Sequence, residues 1–226
     1  FHLSVFDSEA PAYDSWFESP LGRHADLVET KCAIGLLKPS PGMKILDAGC
    51  GTGNFSLKLA RMGCPVTGAD ISEKMLAVAR EKAAAEGLAA NFLVMDATAL
   101  EFPDGSFDAA VSMAAFEFIS DREKALKEML RVVKRGGVAL VGTINRDSSW
   151  GEMYAEAAKL ENSVFRHARL MTASELANIG PREPEEVREC LFTPPGAGEG
   201  ELGEEGERKY YQKGRGGFIC ALWRKP

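Results

Sequence analysis

The stretch Met43-Lys44-Ile45-Leu46-Asp47-Ala48-Gly49-Cys50-Gly51-Thr52-Gly53-Asn54 decides the fold of this chain. Its first half is mostly apolar and is typical of a buried β-strand, whereas its second half is a glycine-rich turn. Phe55, Leu59 and Met62 follow at the spacing of one helix face. The stretch therefore predicts a strand, a tight turn and a helix.

Short apolar runs and helical patterns alternate from this stretch to about residue 144. The predicted helix after Asp70 is capped by Ser72 and ends at Gly87, and a later one begins with a Ser120–Glu123 capping box and ends at Gly136-Gly137. Such alternation builds β-α-β units, so we expect an α/β fold with a doubly wound, mostly parallel sheet. The predicted strands cover residues 43–48, 65–70, 91–96, 107–113 and 138–144.

The C-terminal part has a different pattern. Two further helices are predicted, at about 149–160 and 172–178, and then two strands, at 187–192 and 217–223. No helix is predicted between these strands, so they should pair antiparallel. The joining stretch 194–207 is rich in glycine, proline and glutamate, which predicts a mobile, solvated loop.

The composition bounds the class of protein. The 226 residues are 45% hydrophobic and 27% charged, with a net charge of −6, which is typical of one globular domain and disfavours nucleic-acid partners. We find no signal peptide and no apolar run long enough for membrane insertion, so we expect a cytoplasmic protein. The chain opens at Phe1, which is consistent with a missing natural start. The cysteines form no C-x-x-C pair, which argues against a structural zinc site: Cys32, Cys50, Cys64, Cys190 and Cys220.

The glycine-rich turn is the strongest candidate for a ligand site. Glycine lets the backbone approach a ligand closely, because no Cβ stands in the way. The spacing is G-x-G-x-G, at Gly49, Gly51 and Gly53. The dinucleotide fingerprint G-x-G-x-x-G would place its third glycine at Asn54 or Ser56, so neither frame matches.

Acidic residues stand at or near the ends of three successive predicted strands: Asp47, Asp70 and Asp96. Asp70 lies 21 residues after Gly49, where a carboxylate can accept hydrogen bonds from both hydroxyls of a ribose. The three side chains should converge on the crevice where open α/β sheets bind ligands. Together they favour an adenosine ligand with several donors and little negative charge.

These segments together resemble the class I S-adenosylmethionine-dependent methyltransferases, and more closely the type 11 group, which includes quinone-biosynthesis methyltransferases. The likeness spans roughly residues 10–145. It implies a seven-stranded Rossmann-like methyltransferase fold with an antiparallel C-terminal strand pair. It also implies S-adenosyl-L-methionine as cofactor, S-adenosyl-L-homocysteine as product, and direct displacement onto a small-molecule acceptor. The matching segments are 45–53, 68–72, 96–97, 102–108 and 130–137.

The resemblance assigns roles to matching residues. The glycines would lie against the methionine part of the cofactor, and Asp47 would accept from its ammonium group. Asp70 would hold the ribose, Ile71 would pack on the adenine, and Asp96 would accept from the adenine amino group. The methyl-transfer end would be lined by Met113, Ala114 and Phe116. The residues implied to bind the cofactor are Tyr13, Asp47, Gly49, Cys50, Gly51, Gly53, Asp70, Ile71, Met75, Asp96, Ala97 and Met113.

Residues 1–42 form an aromatic-rich N-terminal segment, which we separate from a methyltransferase domain at 43–226. Its Tyr13, Trp16 and Phe17 resemble the segment that closes over the cofactor in type 11 enzymes, where aromatic faces would attract a sulfonium cation. The alternative is that they only fasten an N-terminal helix to the core.

No catalytic residue and no metal site is assigned. Phe118 stands where many type 11 relatives carry a histidine, so that histidine's role is not transferred. The candidate general bases are His24, His167, Glu117, Asp14 and Tyr13.

Two other function classes stay open. One is a nicotinamide-dependent oxidoreductase, which the failed dinucleotide fingerprint disfavours. The other is a non-catalytic protein that binds S-adenosylmethionine. A protein or nucleic-acid methyltransferase is a variant of the leading hypothesis, and the acceptor, the accepting atom and the oligomeric state are left open.

Overall fold

A computed structural model describes residues 6–226, and the first five residues of the predicted N-terminal segment lie outside the described residues. The helices are α1 (Pro20–Leu37), α2 (Asn54–Arg61), α3 (Glu73–Glu86), α4 (Arg122–Val132), α5 (Ser149–Ala157), α6 (Ala173–Ala177) and α7 (Glu204–Lys209). The strands are β1 (Ile45–Ala48), β2 (Val66–Asp70), β3 (Ala90–Val94), β4 (Phe107–Met113), β5 (Val133–Ile144), β6 (Glu186–Cys190) and β7 (Phe218–Arg224).

The strands form one mixed sheet in the order β3-β2-β1-β4-β5-β7-β6. Neighbours from β3 to β5 pair parallel, and β7 pairs antiparallel with both β5 and β6. This confirms the predicted doubly wound, seven-stranded, mostly parallel sheet with an antiparallel C-terminal strand pair. Strand order reverses between β1 and β4, so ligands are expected at the carboxyl ends of these strands.

Helices cover both faces of the sheet, so its central strands are buried on both sides. All four residues of β1 are buried, with Ile45 in the core under α1, α2 and α5 and Leu46 in the core under α4 and α6. The apolar side of α1, which includes Ala33 and Leu37, belongs to the first core, and α1 packs on β5, β6 and β7.

The start of α4 and the start of β5 differ from the prediction. Asp121, not Ser120, is the N-cap of α4, and its carboxylate accepts from the Lys124 N–H at 3.0 Å. Both residue types cap well, but a carboxylate also interacts favourably with the helix dipole. Gly136 and Gly137 lie within β5 because they exchange backbone hydrogen bonds with Lys225.

The predicted solvated loop contains α7 and a half-buried anchor, Glu207. The Glu207 carboxylate accepts from the N–H groups of Phe192 and Thr193, at 2.8 and 3.0 Å, and lies 3.1 Å from Nε2 of His24 on α1. Nδ1 of His24 accepts from the Gly203 N–H at 3.2 Å. The prediction was therefore wrong for Glu207, because this side chain satisfies backbone donors that sequence patterns do not reveal.

Within residues 6–226, no helix combines the length and the apolar character that a membrane crossing needs. The same part of the chain holds no group of three or more metal-ligand side chains arranged around one point. All five cysteines are free thiols.

Candidate functional site

A cavity of about 680 Å³ opens at the carboxyl ends of β1, β2 and β4, beside the reversal of strand order. This volume lies within the range of small-molecule sites. The structure brings eleven of the twelve predicted cofactor residues to its wall and leaves out Gly53. Those at the wall are Tyr13, Asp47, Gly49, Cys50, Gly51, Asp70, Ile71, Met75, Asp96, Ala97 and Met113.

The glycine turn is shaped by steric need. Gly49 has a φ of +78°, and a Cβ there would lie 2.6 Å from Cβ of Ala115, so only glycine fits. Gly53 also has a φ of +78°, but its added Cβ would meet Cβ of Ala79 on α3 at 3.0 Å. Gly53 is thus the N-cap of α2 and lets this helix pack closely on α3. Gly53 was predicted to contact the cofactor, but it does not line the cavity.

Asp47 is a buried carboxylate at the end of β1. It is 1% exposed, and its Oδ2 accepts from the Ser56 hydroxyl at 2.6 Å. Burial raises the pKa of Asp47 to about 7, the nearby Asp70 carboxylate adds to the rise, and the Ser56 hydrogen bond opposes it. A cationic ligand group in the cavity would offset this cost of burial.

Asp70 joins the end of β2 to the glycine turn. Its Oδ2 accepts from the Gly51 N–H and its Oδ1 from the Ser72 N–H, each at 2.9 Å. Burial raises the pKa of Asp70, although these hydrogen bonds favour the charged form. Each carboxylate oxygen keeps further acceptor capacity, so Asp70 could also receive two ligand hydroxyls.

Apolar and polar groups continue the wall beyond Asp70. Ile71 is 53% exposed and lines the cavity. The Asp96 carboxylate accepts from the Thr98 N–H at 2.7 Å, which shapes the turn after β3. Ile71 and Asp96 therefore offer an apolar surface and an acceptor at the same end of the cavity.

Aromatic rings form another part of the cavity wall. Ring centroids of Phe6 and Phe118 are 4.7 Å apart, those of Phe6 and Tyr13 6.2 Å, and those of Tyr13 and Phe17 5.9 Å. All four rings line the cavity, whereas Trp16 does not. We call Phe6, Tyr13, Phe17 and Phe118 the aromatic wall.

Two of the three residues expected at the methyl-transfer end lie on the cavity wall. Met113 and Ala114 line the cavity. Phe116 instead is fully buried in the core beneath α4, so that expectation was wrong. The turn after β4 directs Phe118 to the cavity and Phe116 away from it.

Polar contacts hold the N-terminal segment over the glycine turn. The Asp14 carboxylate accepts from the Thr52 hydroxyl at 2.7 Å and the Asn54 amide at 2.9 Å, and it pairs with Lys82 at 2.7 Å. Asp7 accepts from the Ser72 hydroxyl at 2.6 Å. These contacts place Tyr13 and Phe17 against the cavity.

The candidate bases differ in position. His24 is bound to Glu207 and Asp14 to Lys82, and neither lines the cavity. Tyr13 and His167 do line it, and burial raises the pKa of Tyr13, so its hydroxyl stays protonated at neutral pH. Glu117 is buried and its Oε1 accepts from the Ile144 N–H at 2.7 Å.

Sequence reasoning missed one polar face of the cavity. Asp26, Glu29 and Thr30 project from α1 into it, beside the aromatic wall. Burial and the neighbouring Asp26 carboxylate raise the pKa of Glu29 to about 8. The available signal was their i, i+3, i+4 spacing, which places three polar side chains on the side of the helix that continues to Ala33 and Leu37.

Known proteins share both the sequence motifs and the fold. Residues 46–141 match the family described as Methyltransferase domain, of the type 11 group. The chain is 42% identical over 139 residues to a demethylmenaquinone methyltransferase of Thermus thermophilus, covering 61% of this chain and 63% of that protein. It is 42% identical over 129 residues to a malonyl-[acyl-carrier protein] O-methyltransferase of Erwinia pyrifoliae, covering 56% and 47%. The matched region thus spans about half to two thirds of the length of these relatives.

A solved structure matches over nearly the whole chain. It is a Thermotoga maritima S-adenosylmethionine-dependent methyltransferase, described as a possible histamine N-methyltransferase, with a TM-score of 0.78 and 28% identity. The match covers 98% of each chain. In its motifs, its sheet order and its relatives, the chain is similar to the class I S-adenosylmethionine-dependent methyltransferases of the type 11 group.

Proposed function

We propose that this protein binds S-adenosylmethionine at the ends of β1 and β2 and transfers its methyl group to a small-molecule acceptor. The observation that carries the proposal is a pair of carboxylates, the buried Asp47 and the half-buried Asp70, on either side of a glycine turn that exposes backbone to the cavity. The match of residues 46–141 to the methyltransferase domain supports the same activity.

The residues fit the cofactor group by group. Asp47 lacks a cationic side chain among the hydrogen-bond partners found in residues 6–226, and the cofactor's ammonium would supply that charge. Asp70 would accept from both ribose hydroxyls while keeping its bonds to Gly51 and Ser72. The exposed side chain of Ile71 would be covered by the adenine.

The chain's own residues would act mainly by positioning. When bound, the cofactor supplies an electrophilic methyl group on a sulfonium sulfur. Gly49 and Ala114 would bring that end of the ligand to the aromatic wall, where Tyr13 and Phe17 exclude water. Alignment of the acceptor with the methyl–sulfur bond can supply much of the acceleration, because methyl transfer is a one-step displacement.

The N-terminal segment would serve as the lid of the site. Its Asp14 and Asp7 contacts close it over the glycine turn and over Ser72. Ligand entry would require these partly buried hydrogen bonds to open, as in a local opening of the fold.

Calorimetric titration tests the proposal. We expect S-adenosylmethionine and S-adenosylhomocysteine to bind and NAD not to bind. Asp70→Ala should weaken binding by roughly 1–3 kcal/mol, because ligand hydroxyls lose their acceptor. Asp147→Ala removes a carboxylate outside the cavity, with a side chain 59% exposed, and should bind like the wild type. Binding of NAD alone, or equal affinity in the Asp70 variant, would contradict the proposal.

A further inference from the structure

The cavity wall carries acidic side chains from the strand ends and from α1. In the part of the chain that the structure describes, no lysine or arginine lines it. The end proposed for the cofactor uses three of the carboxylates, which leaves two on α1 at the aromatic end. The five are Asp26, Glu29, Asp47, Asp70 and Asp96.

The two α1 carboxylates differ in their partners. Asp26 forms an ion pair with Lys58, and the same ammonium donates to the Thr30 hydroxyl at 2.8 Å. Across residues 6–226, Glu29 accepts no hydrogen bond and forms no ion pair. Glu29 therefore offers a free carboxyl group to whatever occupies this end of the cavity.

The electrostatic surroundings of Glu29 are mostly acidic. Asp26 on α1 and Glu117 after β4 disfavour its negative charge, and Lys58 on α2 favours it less strongly. Tyr13, Tyr154 and the thiols of Cys32, Cys190 and Cys220 also interact with it electrostatically.

Glu117, which does not line the cavity but interacts with Glu29, adds a second carboxyl group with one oxygen unpaired across residues 6–226. It is 1% exposed, and within the described residues its Oε2 has no hydrogen-bond partner. Two carboxyl groups near one end of a cavity, without a cation bound to either, favour a cationic occupant.

Further aromatic rings pack beside Phe118 of the aromatic wall. Phe118 of the aromatic wall lies 6.0 Å from Phe165, which lies 4.4 Å from Tyr154, measured between ring centroids. Ring faces attract ammonium groups, and more strongly where water is excluded. An anionic acceptor would gain nothing from these rings and would find no lysine or arginine to pair with on the cavity wall within residues 6–226.

We propose that the methyl acceptor is a small cationic amine, whose ammonium lies against the Glu29 carboxylate beside Tyr13, Phe17 and Phe118. This rests on the proposed methyl transfer and names the class of its acceptor. Amines of this kind combine an apolar body, which suits the rings, with a charge that suits Glu29.

Glu29 would then act as the proton acceptor of the reaction. A protonated amine has no free lone pair, so one N–H proton passes to the Glu29 carboxylate. The nitrogen lone pair then forms the bond to the methyl carbon as the methyl–sulfur bond breaks, and that electron pair stays on the sulfur. The methylated product leaves as an ammonium ion, and Glu29 returns its proton to solvent.

Binding of three matched phenols tests the charge preference. Tyramine, 4-ethylphenol and 4-hydroxyphenylacetate share one ring and carry a positive, a neutral and a negative tail. We would titrate each by calorimetry into the full chain loaded with S-adenosylhomocysteine at pH 7. Tyramine should bind at least about tenfold more tightly than 4-hydroxyphenylacetate, with 4-ethylphenol between them.

Proton release gives an independent readout. Glu29 is mostly protonated at pH 7 in the free protein, because burial raises its pKa to about 8. Tyramine binding should therefore release about one proton, measured from titrations in buffers of different ionisation enthalpy. Glu29→Gln should abolish both the release and the preference, whereas Glu18→Gln, an exposed carboxylate just before α1, should change neither.

The outcomes separate the two proposals. Failure of the wild type to bind S-adenosylhomocysteine contradicts the proposed function itself. Normal cofactor binding without a preference for tyramine, including no tyramine binding, overturns the amine acceptor alone. So does a preference that persists in Glu29→Gln.

Discussion

Replacing Asp47 by asparagine should stabilise the ligand-free protein, and more so at higher pH. Burial raises the pKa of Asp47 from its ordinary value of 3.8 to about 7. The folded protein therefore holds this proton more tightly than the unfolded chain does. The protonated Asp47 therefore contributes to the unfolding free energy, and this contribution is fully present below about pH 4 and is lost as the pH rises through about 7.

The magnitude follows from the two ionisation constants. A tenfold change in such a constant corresponds to about 1.4 kcal/mol, so the complete loss amounts to about 4 kcal/mol. About 3 kcal/mol of this unfolding free energy is lost between pH 5 and pH 8. Asparagine carries no charge, and the Ser56 hydroxyl can still donate to its side-chain oxygen. The variant's advantage in unfolding free energy should therefore grow by about 3 kcal/mol over this interval.

Urea denaturation at pH 5, 6, 7 and 8 measures this difference. Other buried carboxyls, such as Glu29, titrate in both proteins and largely cancel. Asp147→Asn, outside the cavity, should follow the wild type at every pH. An Asp47→Asn difference that does not change with pH would refute the burial argument. The same variant should bind S-adenosylmethionine more weakly, because it cannot balance the ammonium charge.

Three further variants test the packing and the site. Gly53→Ala should lower the unfolding free energy by about 2–3 kcal/mol and Gly87→Ala by about 1 kcal/mol, because both glycines have positive φ but only Gly53 lacks space for a Cβ. Equal losses in the two variants would contradict the packing role of Gly53. Glu207→Ala should lower the unfolding free energy in urea by about 2–3 kcal/mol, because two backbone N–H groups lose their acceptor, whereas Glu205→Ala should leave it almost unchanged. Similar losses in the two variants would argue against Glu207 as an anchor. Ile71→Ala should weaken cofactor binding by about 1 kcal/mol in calorimetry and leave the unfolding free energy unchanged, because this side chain is exposed until the ligand covers it. Unchanged affinity would contradict the contact between Ile71 and the adenine.

The sheet and the cofactor end of the cavity could be predicted because their signals are local. Asp47 and Asp70 are placed by the strands that they end, and parallel strands bring their carboxyl ends to one edge. The role of Gly53 was harder, since its need for glycine comes from α3 and not from a ligand. Phe116 and Phe118 are two residues apart and face opposite ways, which only the turn after β4 determines.

The acceptor end depended on long-range packing. Glu29 faces the cavity because α1 crosses the sheet near β5 to β7, and no local pattern fixes that placement. Glu207 became an anchor because α7 folds back toward Phe192. His24, a candidate base by residue type, is bound by the same anchor.

A crystal structure with S-adenosylhomocysteine bound tests the central claim most directly. We expect both ribose hydroxyls within hydrogen-bond distance of the Asp70 carboxylate, the ligand's amino group at Asp47, and the adenine against Ile71. A ligand bound outside this cavity would contradict the proposed cofactor site. So would a ligand whose ribose points away from Asp70 and which makes no contact with the glycine turn.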